Sequence, residues 1–260
     1  QGEVDCSGAK NAGLPILAST ILLDGSAYIG NLPHLQDITT KLELLNSMGS
    51  SINFHEDGFI EINSSNIQLP EARYELVKTM RASILVMGPL VARYGKAKIS
   101  QPGGCDIGTR PIDFHLSGLE KMGAEITSDS RYIYLKAKKL NPIDFSFPKV
   151  SVTGTENLMM AATLIDGTTT LKNCAKEPEV LELANYLNSC GAKISGAGES
   201  EIEIKGVKKL VASRWDVLFD RIEAGTYLVA GAITNGHVKV NKINPNTISI
   251  ISKKLIDMGV

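Results

Sequence analysis

Aromatic residues are scarce, 5% of the 260, with a single tryptophan. An excess of either charge is also missing. Lys+Arg at 27 against Asp+Glu at 28 leaves a formal net charge of −1, which argues against a general nucleic-acid binder that works by neutralising phosphates. No apolar run approaches the ~20 residues that span a bilayer. The first residues, Gln1-Gly2-Glu3-Val4-Asp5, carry neither a basic n-region nor an apolar h-region, so no signal peptide is expected from them. The four cysteines (Cys6, Cys105, Cys174 and Cys190) stand far apart, with no C-x-x-C pair and no histidine at metal spacing. That excludes the usual zinc patterns and a disulfide scaffold. Phosphate-loop, dinucleotide and G-x-S-x-G motifs are absent as well, which leaves ATPase, dehydrogenase and serine-hydrolase readings without support. The expectation is a reduced, cytoplasmic protein with neither a nucleic-acid nor a membrane partner.

What the chain does have is a repeat. A glycine opens a short strand at Gly25, Gly95, Gly167 and Gly236, at intervals of 70, 72 and 69 residues. A second glycine closes an amphipathic segment at Gly49, Gly123, Gly191 and Gly259, at intervals of 74, 68 and 68 residues. Before each closing glycine stand apolar residues or cysteine at spacings of seven and three: Ile38/Leu45/Met48, Ile112/Leu119/Met122, Val180/Leu187/Cys190 and Ile248/Leu255/Met258. These fall on one helical face, and a left-handed cap is expected at each glycine. Alternating segments such as Tyr132-Ile133-Tyr134-Leu135 read as strands. A further helical stretch precedes each opening glycine, at Ala12–Leu23, Leu76–Ala92, Glu156–Ile165 and Ile222–Ile233. Each unit therefore reads helix, strand, helix, strand, strand, in the α/β or α+β range, and the copies must pack together to cover their apolar faces. The fourth copy stops at Val260, where its hairpin should begin, so the sequence is expected to be part of a longer protein and inactive by itself.

Departures from the repeat point to function. The second copy is longer by about four residues, within Gln101-Pro102-Gly103-Gly104-Cys105-Asp106-Ile107-Gly108-Thr109-Arg110-Pro111, a loop by its glycines and prolines. Pro111 reads as the first residue of the next helix, which sets Arg110 beside exposed N–H groups. Cys105, on this loop beside Arg110, is the expected reactive thiol; Cys6, Cys174 and Cys190 read as inert and buried. The first helix of each copy opens with Lys10, Arg81, Thr153 and Arg221. Cations are disfavoured at a helix start, so their presence points to a bound anion. The third copy instead presents Lys149-Val150-Ser151-Val152-Thr153-Gly154, whose hydroxyls and N–H groups suit a phosphate or sugar. His115 reads as structural, and Glu177-Pro178-Glu179 as a helix start.

Ser7-Gly8-Ala9-Lys10-Asn11, Lys78-Thr79-Met80-Arg81-Ala82-Ser83, Pro102-Gly103-Gly104-Cys105 with Gly108-Thr109-Arg110-Pro111-Ile112-Asp113, and Asp220-Arg221-Ile222-Glu223 resemble the enolpyruvyl transferases. The match runs in order from Gly2 to Val260, and it is closest to members whose acceptor is UDP-N-acetylglucosamine. The resemblance implies an inside-out α/β barrel fold of repeated units, with one complete domain at 11–218 and part of a second at 1–10 and 219–260. It implies transfer of enolpyruvate from phosphoenolpyruvate to the 3′-hydroxyl of UDP-N-acetylglucosamine, in peptidoglycan synthesis, with no metal or organic cofactor. Lys10, Asn11 and Arg110 would bind phosphoenolpyruvate, and Cys105 would donate the proton. Arg81, Arg110, Pro111, Ile112, Asp113, Phe114, Lys149, Val150, Ser151 and Val152 would contact the nucleotide sugar. An extra residue after Val152, relative to the family pattern, leaves the contact at Thr153 open. The family's carboxylate base and a further arginine would lie beyond Val260. Two rivals remain: the sister reaction on shikimate 3-phosphate, against which the Gly-Gly-Cys loop counts, and a non-catalytic module that binds a nucleotide sugar.

Overall fold

The structure, a computed structural model, describes residues 1–77, 80–101 and 112–260, with the backbone alone of Arg81. After strand β1 (Gly2–Asp5), the first unit comprises α1 (Lys10–Ser19), a 3-10 turn, β2 (Leu23–Asp24), β3 (Ser26–Gly30), α2 (Gln36–Met48) and the hairpin β4 (Ser51–Phe54) with β5 (Ile60–Asn63). The second runs through β6 (Glu71–Ala72), α3 (Tyr74–Val77), a 3-10 helix (Arg81–Val86), α4 (Met87–Tyr94), β7 (Lys96–Ser100), α5 (Asp113–Lys121), β8 (Glu125–Ser128) and β9 (Tyr132–Lys136). The third has β10 (Asp144–Ser146), α6 (Val152–Ala162), β11 (Thr168–Lys172), α7 (Pro178–Ser189), β12 (Lys193–Ser195) and β13 (Glu201–Lys205). Short strands β14 (Leu210–Val211) and β15 (Arg214–Asp216) lead to α8 (Arg221–Ile233), β16 (Val238–Asn241), a 3-10 turn and α9 (Ser249–Asp257).

Each of the first three units builds a four-stranded sheet of one pattern: β15-β3-β5-β4, β6-β7-β9-β8 and β10-β11-β13-β12. A lead-in strand pairs parallel with the first strand of the unit, and the hairpin adds antiparallel. The first sheet takes its lead-in from the far end of the third unit, with Arg214 opposite Tyr28 and Asp216 opposite Gly30, which closes the three units into a ring. β1 serves the fourth unit in the same way, parallel to β16 from Gly2↔Val238 to Asp5↔Asn241.

Burial explains why the helices lie inside and the sheets outside. In α1 every residue from Ala12 to Ser19 is buried, and in α6 every residue from Gly154 to Ala162. Helices apolar all round belong in a core. Strand β13 alternates exposed and buried, as a sheet with one wet face must. The closing glycines are left-handed, with φ of 114°, 103°, 100° and 89° at Gly49, Gly123, Gly191 and Gly259. Among the opening glycines, Gly25, Gly95 and Gly167 are left-handed, but in the fourth copy Asn235 takes that conformation, one residue before Gly236.

Two expectations need correction. The stretch Leu76–Ala92 is not one helix: it divides into α3, the 3-10 helix and α4, and Met80 has extended backbone between them. Helix α5 begins at Asp113 with Ile112 as its cap residue, two positions later than a start at Pro111. The heptad face of the fourth copy is covered only in part, with Ile248 7% and Met258 77% exposed. Among the described residues there are two separate apolar clusters, a large one spanning the three units and a small one around Cys6, Ala224 and Ile248. Among the described residues, no helix is long and apolar enough to cross a membrane.

Candidate functional site

Helix starts carry the candidate residues. Lys10 is the first residue of α1, Arg81 of the 3-10 helix and Arg221 of α8, while Thr153 is the second of α6. Lys10 is not alone there: its Nζ donates to Asp37 Oδ2 at 2.8 Å, from the first turn of α2. An ammonium has three donors, so two remain for an anion. Asn11 follows, exposed, on the same turn.

Gly8 is required where the chain enters α1. A Cβ there would collide with the backbone oxygen of Asn31, which lies in a left-handed turn at φ 54°. Asn31 Nδ2 donates to Val217 O at 2.6 Å, and Gly8 bridges Phe219. Two segments thus cross at this point, 7–9 and 217–220. The motif Asp220-Arg221-Ile222-Glu223 then has a use for each polar member. Asp220 caps α8 by accepting from Ile222 N and Glu223 N at 2.8 and 3.2 Å. Glu223 accepts from Ser7 N at 2.7 Å. Arg221 donates to both oxygens of Glu179, at 2.9 and 3.1 Å.

The starts of α5 and α6 meet on another side. Thr153 Oγ1 lies 3.3 Å from His115 Nε2, and Asn157 Nδ2 lies 2.8 Å from His115 Nδ1. Helix α5, which Asp113 and Phe114 open after Ile112, thus packs against α6, which Val152 opens after Lys149, Val150 and Ser151. Lys149, Val150 and Asp113 are exposed, and the others are partly so. Ser151 caps α6 by accepting from Gly154 N at 3.1 Å. Asn157 Nδ2 also donates to Ile84 O at 3.1 Å, tying the 3-10 helix that Arg81 opens to the same ledge.

Beneath lies a set of buried charges that sequence reasoning missed. Lys41 of α2 is fully buried and donates to Ala82 O at 2.8 Å. Burial pushes its ammonium down to about 7, against the pull of Glu156. Glu156 of α6 is also fully buried; burial, then the negative neighbours Glu179 and Glu177, hold its carboxyl well above the usual range. Its Oε1 and the Oε2 of Glu177 have no hydrogen-bond partner among the described residues. The only sequence signal was a carboxylate inside the apolar run Glu156–Ala162. Glu179 reads from sequence as an ordinary acidic residue at a helix start.

Cys105, Arg110 and Pro111 lie outside the described residues, as do Lys78, Thr79 and the Arg81 side chain. The other three cysteines are buried. Burial pushes the thiols of Cys6 and Cys174 up to about 11. Among the described residues no group of three His, Cys, Asp or Glu is placed to hold a metal. The groove between α2 and the β4–β5 hairpin, about 550 Å³ and lined by Leu42, Phe54 and Phe59 among others, contains none of the candidate residues.

Comparison with known proteins agrees with this architecture. Residues 1–260 match the family model described as EPSP synthase (3-phosphoshikimate 1-carboxyvinyltransferase). Among solved structures, the enolpyruvyl transferase NikO from Streptomyces tendae superposes with a TM-score of 0.78 at 21% identity, covering 89% of this chain and 55% of that one. EPSP synthase from Acinetobacter baumannii gives 0.77 at 20% identity, covering 99% of this chain and 59% of that one. At such identities the likeness establishes the fold, the inside-out α/β arrangement of enolpyruvyl transferases. This chain spans between 55% and 59% of the length of those two structures. With the family model matched from end to end, the chain belongs to the EPSP synthase (3-phosphoshikimate 1-carboxyvinyltransferase) family of enolpyruvyl transferases.

Proposed function

We propose that the protein carrying this sequence is a UDP-N-acetylglucosamine 1-carboxyvinyltransferase, which moves enolpyruvate from phosphoenolpyruvate to the sugar 3′-hydroxyl and releases phosphate. The observation that carries the reading is the occurrence in one sequence of Lys10-Asn11, which stand at the start of α1, and of Pro102-Gly103-Gly104-Cys105. In this reading Cys105 protonates C3 of phosphoenolpyruvate while the hydroxyl gives its proton to the family's carboxylate base and attacks C2. Loss of a proton from C3 of the tetrahedral adduct then expels phosphate and restores the enol double bond. Lys10, Asn11 and Arg110 hold the carboxylate and phosphate, where fixed cations stabilise developing charge. Arg81, Arg110–Phe114 and Lys149–Val152 hold the nucleotide sugar. The joining of α5 to α6 through His115 and Thr153 supports one ledge for it.

The same reading divides the chain into a domain at 11–218 and part of a second at 1–10 and 219–260. The pairing of β1 with β16 and the separate apolar cluster around Cys6, Ala224 and Ile248 support the division.

A second reading, transfer to shikimate 3-phosphate, is favoured by the description of the family model itself. Phosphate release from phosphoenolpyruvate, assayed with each acceptor separately, tests one against the other.

A further inference from the structure

Arg81 opens a 3-10 helix of six residues, Arg81–Val86. That is long for the geometry, whose own hydrogen bonds are poor and seldom carry more than about four residues. Two of its carbonyls are held from outside. Lys41 Nζ of α2 donates to Ala82 O at 2.8 Å, and Asn157 Nδ2 of α6 donates to Ile84 O at 3.1 Å. Just past the end of the 3-10 helix, Asn157 Oδ1 accepts from Gly88 N at 2.7 Å. A Cβ at Gly88 would overlap that oxygen. Neighbouring elements thus fix the 3-10 helix, and with it the backbone that carries Arg81.

Lys41 is the costly member of this arrangement. It is 0% exposed, and an ammonium out of water is unfavourable unless its charge and its three N–H groups are satisfied. Among the described residues its one hydrogen-bond acceptor is the Ala82 carbonyl. Glu156 of α6 is the acidic group whose charge reaches it, yet Glu156 Oε1 is buried without a partner. No hydrogen-bonded ion pair offsets the burial, and a methionine would fill the same space at lower cost. What the lysine adds is a tie. Asp37 stands one turn before it on α2, so the two lie on one side of that helix. Asp37 accepts from Lys10 Nζ at 2.8 Å, at the start of α1, while Lys41 holds the residue after Arg81. One side of α2 therefore joins the start of α1 to the start of the 3-10 helix.

We infer that Lys41 is a positioning residue for the acceptor substrate: through Ala82 O it sets the start of the 3-10 helix, and so Arg81, against Lys10. The inference rests on the enolpyruvyl-transferase reading above, in which Arg81 contacts the acceptor and Lys10 contacts phosphoenolpyruvate. Groups that bind two reactants must be held in register for the reactants to meet, and they keep that register only if the residues behind them are fixed. Buried as it is, Lys41 touches neither substrate. Its effect falls on the acceptor alone, because Lys10 keeps its separate tie to Asp37.

The test is Lys41→Met in the protein carrying this sequence, which keeps the length of the side chain and removes its donor. Phosphate release is measured while UDP-N-acetylglucosamine, shikimate 3-phosphate and phosphoenolpyruvate are varied in turn, and urea unfolding is followed at pH 7. The expected result is a KM raised about tenfold for whichever acceptor reacts. The KM for phosphoenolpyruvate should stay within about twofold. Unfolding should show the variant no less stable, since methionine replaces the ammonium without its burial cost. An unchanged acceptor KM in an active variant overturns the role of Lys41 and leaves the enolpyruvyl-transferase reading standing. A variant that does not fold, or that loses kcat and both KM values together in step with its stability, shows a structural residue and also overturns the inference. Release with neither acceptor by the unsubstituted protein overturns the functional reading, and this inference with it.

Discussion

Arg221 and Glu179 meet head-on, the guanidinium Nε and one Nη donating to the two carboxylate oxygens at 2.9 and 3.1 Å. The contact joins the first residue of α8 to the first turn of α7, across the point where 7–9 and 217–220 cross. Glu179 is almost fully buried, with a side chain 4% exposed, and the Arg221 side chain is 30% exposed. A cation at a helix start, read from sequence as an anion binder, is here first a partner for a buried carboxylate.

Removing one side of that pair should therefore cost stability. Arg221→Met leaves Glu179 buried without its counter-charge. A fully buried pair broken in this way loses ~3–5 kcal/mol, and the partial exposure of Arg221 lowers the expectation to roughly 2–3 kcal/mol. Glu179→Gln with Arg221→Met should recover part of the loss in a double-mutant cycle of urea unfolding. Additive losses would show that the two side chains do not interact.

Stability should climb with pH above neutrality because of Lys41. Its folded value is about 7 against an ordinary 10.5. Below pH 7 both folded and unfolded chains hold the proton, and the full cost of burying the ammonium is present. Between 7 and 10.5 the unfolded chain binds more protons than the folded one, so stability rises with pH, on the order of 1.4 kcal/mol per unit from this group. Lys41→Met should flatten the slope in urea unfolding measured at pH 7, 8 and 9. The same slope in both proteins would contradict a depressed lysine.

Cys105 should be the thiol that fosfomycin alkylates, as the family resemblance implies. Cys6, Cys174 and Cys190 are 3%, 1% and 3% exposed, and the first two are held as thiols by burial. Peptide mass mapping after limited treatment, with UDP-N-acetylglucosamine present, should place the adduct on Cys105 alone. An adduct on one of the buried three, with Cys105 untouched, would contradict the assignment.

Much of the scaffold was legible because glycine is demanding about where it stands. The closing glycines at 49, 123, 191 and 259 occupy backbone that other residues avoid, so their spacing revealed the repeat before any contact was known. Helix starts were legible for a similar local reason: Lys10 and Arg221 each open the α-helix expected of them, whereas Arg81 opens a 3-10 helix. Long-range partners were not. Lys10 with Asp37, Arg221 with Glu179 and Gly88 with Asn157 depend on how separate units pack, and no local pattern encodes them. The lead-in strand Arg214–Asp216 pairs with β3, 186 positions earlier at Arg214 and Tyr28, a ring closure that only the assembled units reveal. The division of Leu76–Ala92 was missed because its apolar pattern continues through extended Met80 and the 3-10 helix.

The most direct test of the central claim is phosphate release from phosphoenolpyruvate by the protein carrying this sequence, measured separately with UDP-N-acetylglucosamine and with shikimate 3-phosphate. The account predicts release with the nucleotide sugar, loss of that release on Cys105→Ala, and none with shikimate 3-phosphate. Release with shikimate 3-phosphate alone would contradict it and assign the chain to the sister reaction.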